Sequence, residues 1–60
     1  MKTGDFTFEL ISKGCYIKRN GSNHDIWYSP ITKRTFPIPR HKSQELGRGL
    51  EMKARKALGV

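Results

Sequence analysis

An α+β fold, with one helix at each end of a three-stranded antiparallel sheet, is predicted by three observations. Near the C-terminus, Leu50, Ala54, Ala57 and Leu58 recur at helical spacing. The middle of the chain alternates with period two and is broken by two turn sequences, Asn20-Gly21-Ser22-Asn23 and Pro30-Ile31-Thr32-Lys33. The chain has 60 residues, enough for one domain over 1–60 and for burial of only about 60 % of the unfolded surface.

The first element has two readings. Phe6, Phe8 and Leu10 alternate as in a strand, whereas Phe6, Thr7, Leu10 and Ile11 fit a helix. Boundary residues favour the helix: Thr3 as N-cap, Asp5 in the first turn, Lys13 in the last and Gly14 as terminator. A helix is expected over 4–13. Cys15 to Arg19 reads as the first strand, with Cys15 and Ile17 on one face and Tyr16 and Lys18 on the other. Gly21 is expected to supply the positive φ of a hairpin connection.

His24 to Ser29 reads as the second strand, with His24, Ile26 and Tyr28 on one face and Asp25 and Trp27 on the other. Thr35 to Ile38 is a short third strand, and Pro37, which has no N–H, places it at an edge. Pro39 to Gly49 is a basic loop with two glycines, and Gly59 ends the helix that follows. Both helices must bury their apolar stripes on the same side of the sheet, because the chain has nothing else to cover them. The expected core is Phe6, Leu10, Ile11, Phe36, Ile38, Leu50 and Leu58.

The charge is lopsided. Twelve Lys and Arg stand against five Asp and Glu, a formal net charge of +7. Residues 33–60 carry +6 of it and residues 1–32 only +1. Such an excess makes a polyanion the first partner to consider. The cations of the basic half, Lys33, Arg34, Arg40, Lys42, Arg48, Lys53, Arg55 and Lys56, could track phosphates or simply form a solvated surface. The lone Cys15 cannot form an intrachain disulfide and reads as a small buried hydrophobe. Cys15, His24 and His41 offer no recognised metal-binding spacing, and no cofactor is expected. No apolar run approaches the roughly 20 residues that span a bilayer. No signal-peptide core is present, so a cytoplasmic protein is expected, with no membrane partner.

His24 carries most of the functional reading. It closes Asn20-Gly21-Ser22-Asn23-His24 and opens directly onto Ile26-Trp27-Tyr28. Imidazole is the side chain whose ordinary pKa, about 6.5, lies near neutrality. At the mouth of a strand in a strongly basic chain it is placed to move a proton near a phosphate. The plainer reading is a turn or surface histidine. His41, between Arg40 and Lys42, could donate a proton, contact a phosphate or be a solvated loop residue. Trp27, Tyr16 and Tyr28 could stack on unpaired bases, pack internally or contact a protein partner.

Together these features resemble the HicA toxins of bacterial type II toxin–antitoxin systems. The likeness rests on a short first helix ending in Gly14, the motif Asn20-Gly21-Ser22-Asn23-His24, the Pro39-Arg40-His41 segment and a basic last helix ending Leu58-Gly59. The resemblance implies a double-stranded-RNA-binding-domain-like α-β-β-β-α fold and an mRNA interferase that cleaves RNA. It implies a HicB-like antitoxin as partner, forming a hetero-oligomer that covers the active surface. The family's catalytic histidine maps onto His24; where some members carry a second histidine, this chain has Asn23. The Gly47-Arg48-Gly49 stretch departs from expectation at the start of the last helix.

RNA brings its own nucleophile, the 2′-OH, so cleavage needs alignment, a base, stabilisation of phosphorane charge and help for the leaving oxygen. His24 is the expected general base. Arg19, Gly21, Ser22, Lys33, Arg34, Arg40, His41 and Lys42 are the expected RNA contacts, with Lys18 flanking the turn. The competing class is a non-catalytic double-stranded-RNA-binding module that recognises shape.

Overall fold

The alternating stretch at the centre of the chain forms the sheet that organises everything else. The computed structural model describes residues 1–60, with α1 Thr3–Ser12, β1 Tyr16–Asn20, β2 His24–Ser29, β3 Arg34–Pro39 and α2 Arg48–Leu58. The sheet order is β1-β2-β3, both pairs antiparallel. This is the α-β-β-β-α arrangement of a double-stranded-RNA-binding-domain-like fold. Strand β3 is an edge strand, as Pro37 requires.

Strand β2 alternates as read: Asp25, Trp27 and Ser29 are buried, while His24, Ile26 and Tyr28 are exposed or half-buried. The buried face packs against both helices. Phe6 and Leu10 of α1, Ala54 and Leu58 of α2, and Cys15, Trp27, Ile38 and Leu46 form one core, with Phe36, Leu50 and Val60 at its margin. The opposite face of the sheet is left uncovered. Cys15 is a buried free cysteine.

Several local expectations are corrected. Thr3 is not the N-cap; Lys2 holds that position, with no side-chain cap. The first N–H groups of α1 go instead to carbonyls of the loop after β3: Thr3 to Gln44 and Gly4 to Lys42, each at 2.9 Å. The Thr3 hydroxyl also donates to the Gln44 carbonyl. This loop is therefore a strap, and it buries Leu46, which polar surroundings concealed in the sequence. Ile11, expected in the core, is 62 % exposed. The buried stripe of α1 is Thr3, Phe6, Thr7 and Leu10, and Ile11 falls outside it.

Helix termini are satisfied from elsewhere in the chain. Gly14 has φ +89°. The Gly14 N–H donates to the Ile11 carbonyl and the Cys15 N–H to the Leu10 carbonyl. That pairing is a Schellman motif, which needs a left-handed residue at this position. At the end of α2, the Ser29 hydroxyl donates to the Leu58 carbonyl and the Thr32 hydroxyl to the Ala57 carbonyl, both at 2.6 Å. The turn between β2 and β3 thus caps the last helix.

Arg55 ties the two helices together. Its guanidinium contacts Glu9 of α1 at 2.7 Å and Glu51 of α2 at 2.9 Å, and it lies 5.1 Å from the centroid of Phe6. Its hydrogen bonds to Glu9 and then Glu51 raise the pKa of Arg55 further. Arg55 is therefore a structural group rather than part of a phosphate-tracking surface.

Ser29→Ala should test the cap of α2. It removes a buried donor and orphans one orientation of the Leu58 carbonyl, costing about 1–3 kcal/mol. In a domain this small each kcal/mol lowers Tm by roughly 4–8 °C, which thermal unfolding followed by circular dichroism would measure.

Candidate active site

The turn that carries His24 is held by a charged hub. Asp25 points into the protein from β2, and Asn20 donates to its Oδ1 at 2.8 Å. Arg40, immediately after β3, donates to the same oxygen through Nε at 3.1 Å and Nη2 at 3.0 Å. The guanidinium also donates to the Gly21 and Ser22 carbonyls. The backbone closes the arrangement, because the Gly21 N–H donates to the His24 carbonyl at 2.8 Å and the Arg40 N–H to the Asn23 carbonyl at 3.4 Å.

Gly21 is required here for a different reason than expected. It does not have positive φ. A Cβ at this position would lie 2.5 Å from the His24 carbonyl oxygen, so the residue permits close approach of the two backbones. The left-handed residue with a side chain is Lys33, φ 59°, in the second turn.

Pairing places His24 opposite Pro39 and Ile26 opposite Pro37. By strand parity the imidazole belongs to the face that neither helix covers, and His24 is exposed. His41 follows Arg40 on the strap and is also exposed.

The first strand adds a feature that parity reasoning missed. Ile17 pairs with Trp27, but the next pair is Arg19 with Ile26. Lys18 is a β-bulge, so two residues of β1 oppose one of β2. Without the bulge Arg19 would face Asp25 and turn toward the helices. With it, Lys18 and Arg19 both border the uncovered face. They line a shallow depression of about 280 Å³ together with Ile26 and Thr35. No sequence signal marked the bulge.

The expected RNA contacts therefore fall into groups. Arg19, Gly21, Ser22 and Arg40 gather at the His24 end of the sheet, and His41 and Lys42 follow Arg40 on the strap, where Lys42 packs against Gly4 at the start of α1. Lys33 and Arg34 sit beyond Ser29, five strand residues and roughly 17 Å from His24. Within the near group, the N–H of Gly21 and most donors of Arg40 are committed to the protein itself. Lys53 and Lys56 are exposed on α2, behind the sheet. Trp27 is 5 % exposed and belongs to the core, so it is not available to stack on a base.

No group of three or more His, Cys, Asp or Glu side chains that could hold a metal ion comes together. No helix is long and apolar enough to cross a membrane.

The hydrogen bond from Asn20, followed by those from Arg40 and its positive charge, holds the Asp25 carboxyl below its ordinary value of 3.8. A lowered folded-state pKa stabilises the fold above the unfolded value, and that contribution is lost as pH falls through the folded value. The stability difference between the wild type and Asp25→Asn should therefore be constant near neutrality and shrink below about pH 4. Urea midpoints measured for both proteins across pH 2–7 would check this, since the other carboxylates cancel in the difference.

A family model described as the HicA toxin of bacterial toxin–antitoxin systems matches residues 8–60. No curated protein and no solved structure matches the chain.

Proposed function

The chain belongs to the HicA family, toxins of bacterial toxin–antitoxin systems, and from that premise we propose that it is an endoribonuclease that cleaves mRNA with His24 as general base. The observation that carries the reading is the position of His24. It is exposed at the start of the central strand, on the uncovered face, on a turn fixed by Arg40 and Asp25.

The reaction is transesterification. The imidazole of His24 takes the proton of a ribose 2′-OH, and the oxygen attacks the adjacent phosphorus. The P–O5′ bond breaks, leaving a 2′,3′-cyclic phosphate and, once the leaving oxygen is protonated, a 5′-hydroxyl. The nucleophile belongs to the substrate, so the route requires no metal or cofactor. Arg19 and the backbone and hydroxyl of Ser22 border the turn and can meet phosphate charge; Lys42, packed against Gly4 of α1 on the helix side, meets only substrate that runs past the strap. Arg40 acts mainly by holding the turn. His41, exposed on the strap after Arg40, is a proposed phosphate contact. Lys33 and Arg34 lie at the far end of the sheet and contact only a longer stretch of substrate.

Toxin–antitoxin membership supplies an antitoxin partner. A HicB-like protein that covers the His24 turn would exclude RNA directly. An acidic surface on it would associate rapidly with this cationic chain. The proposed setting is the cytoplasm, where mRNA is found.

Purified protein incubated with RNA in EDTA should produce fragments ending in 2′,3′-cyclic phosphate and 5′-hydroxyl, identified by mass spectrometry. His24→Ala should reduce the rate by about 10²–10⁴-fold, the usual contribution of a general base, while the circular dichroism spectrum is retained. Binding without cleavage would instead select the non-catalytic module, and 5′-phosphate ends would exclude the transesterification route.

A further inference from the structure

We propose that the uncovered face of the sheet is a seat for single-stranded RNA, in which an unpaired base stacks on Tyr16 while Lys18 and Arg19 hold the phosphate between that base and His24. The inference rests on the ribonuclease reading and names the residues that seat its substrate.

Tyr16 pairs with Tyr28 across β1 and β2. Their ring centroids are 5.3 Å apart at an interplanar angle of 47°. Both point away from the helices, so neither contributes to the core. Lys18 Nζ sits 5.6 Å from the centroid of Tyr28, which leaves Tyr16, 53 % exposed, as the freer ring. The bulge brings Lys18 and Arg19 to the edge of the depression floored by Ile26. That depression lies between the tyrosine pair and His24, which are separated along β2 by four residues, about 13 Å.

Charge selects the occupant. Asp25 points inward to Arg40, Glu9 and Glu51 are bound to Arg55, and Glu45 pairs with the N-terminus and Lys2. Asp5 lies on α1. The uncovered face is thus lined by cations, aromatic rings and His24, with no carboxylate. A polyanion whose units carry flat rings matches it. The bases of a duplex are stacked and closed to an aromatic side chain, whereas unpaired bases splay onto sheet-borne aromatics. Cleavage points the same way, because in-line attack by a 2′-OH needs a backbone free to leave the A-form geometry.

The test uses the His24→Ala protein and a labelled single-stranded oligoribonucleotide carrying 2′-O-methyl groups, with a duplex of the same sequence for comparison. Fluorescence anisotropy should show tighter binding of the single strand. Tyr16→Leu should weaken it roughly 5- to 160-fold, and Tyr16→Phe, which keeps the ring, should not. Arg19→Gln should lower the slope of log affinity against log salt by about 0.7. Equal or tighter duplex binding overturns the proposal. So does unchanged affinity in a folded Tyr16→Leu protein, or a Tyr16→Leu defect confined to binding an antitoxin protein. Because an oligonucleotide with no free 2′-OH cannot be cleaved by this route, the two readings fail separately. Tyr16-dependent binding by a wild type that leaves RNA intact removes only the nuclease. Cleavage by a wild type whose Tyr16→Leu variant binds and cuts equally removes only the seat.

Discussion

Two short helices can cover only one face of a three-stranded sheet, and the rest of the molecule follows from that constraint. Phe6, Leu10, Ala54 and Leu58 meet Trp27 and Ile38 on the covered side. Burial there sets the register of β2, since a one-residue slip would expose Trp27 and bury His24. The same requirement that hides the indole therefore presents the imidazole. The bulge at Lys18 then turns Arg19 to the exposed side as well. A change that loosened the core would displace the candidate site through register rather than through any direct contact.

The acidic groups divide the charge in a similar way. Glu9 and Glu51 hold Arg55, Asp25 holds Arg40, and Glu45 meets the N-terminus and Lys2. Of the twelve Lys and Arg, only Lys2, Arg40 and Arg55 have an ion-pair partner, which leaves nine without one. Partly exposed pairs of this kind add little stability individually. Their consequence is spatial: carboxylates are drawn to the helix side and the strap, and the uncovered sheet face is left electropositive. Arg40 is the exception among the cations near the turn, because its charge is matched by Asp25 and its fork is filled by backbone carbonyls.

The fold was legible because its signals are local. Period two in His24 to Ser29, helical spacing from Leu50 to Leu58, and the stops at Gly14 and Gly59 act within a few residues of themselves. What escaped the sequence depends on distant partners. Thr3 resembles an N-cap, but Gln44, far along the chain, takes over its role. Leu46 looks like a loop residue until the strap carries it into the core. Arg55 looks like a free helix cation until Glu9 is seen across the helix pair. Gly21 was rightly marked as a turn glycine, but its requirement is contact with the His24 carbonyl rather than a positive φ. In the candidate site, strand parity gave the face of His24 and Tyr28. It could not give that of Arg19, since a bulge depends on how two strands pair and not on either alone.

A single uncovered face also links the proposed activity to its control. The cations, the tyrosine pair and the histidine share one surface, so an acidic antitoxin and an RNA chain would seek the same groups. Neither could bind there without displacing the other, and no separate conformational switch is needed for inhibition. Stability adds to this. A 60-residue domain with a formal net charge of +7 repels itself in the compact state and has little buried surface in reserve. A partner that neutralises the face would raise its stability by mass action. The bound toxin would then be both silenced and protected from unfolding, and its release would restore the exposed histidine and the marginal stability together.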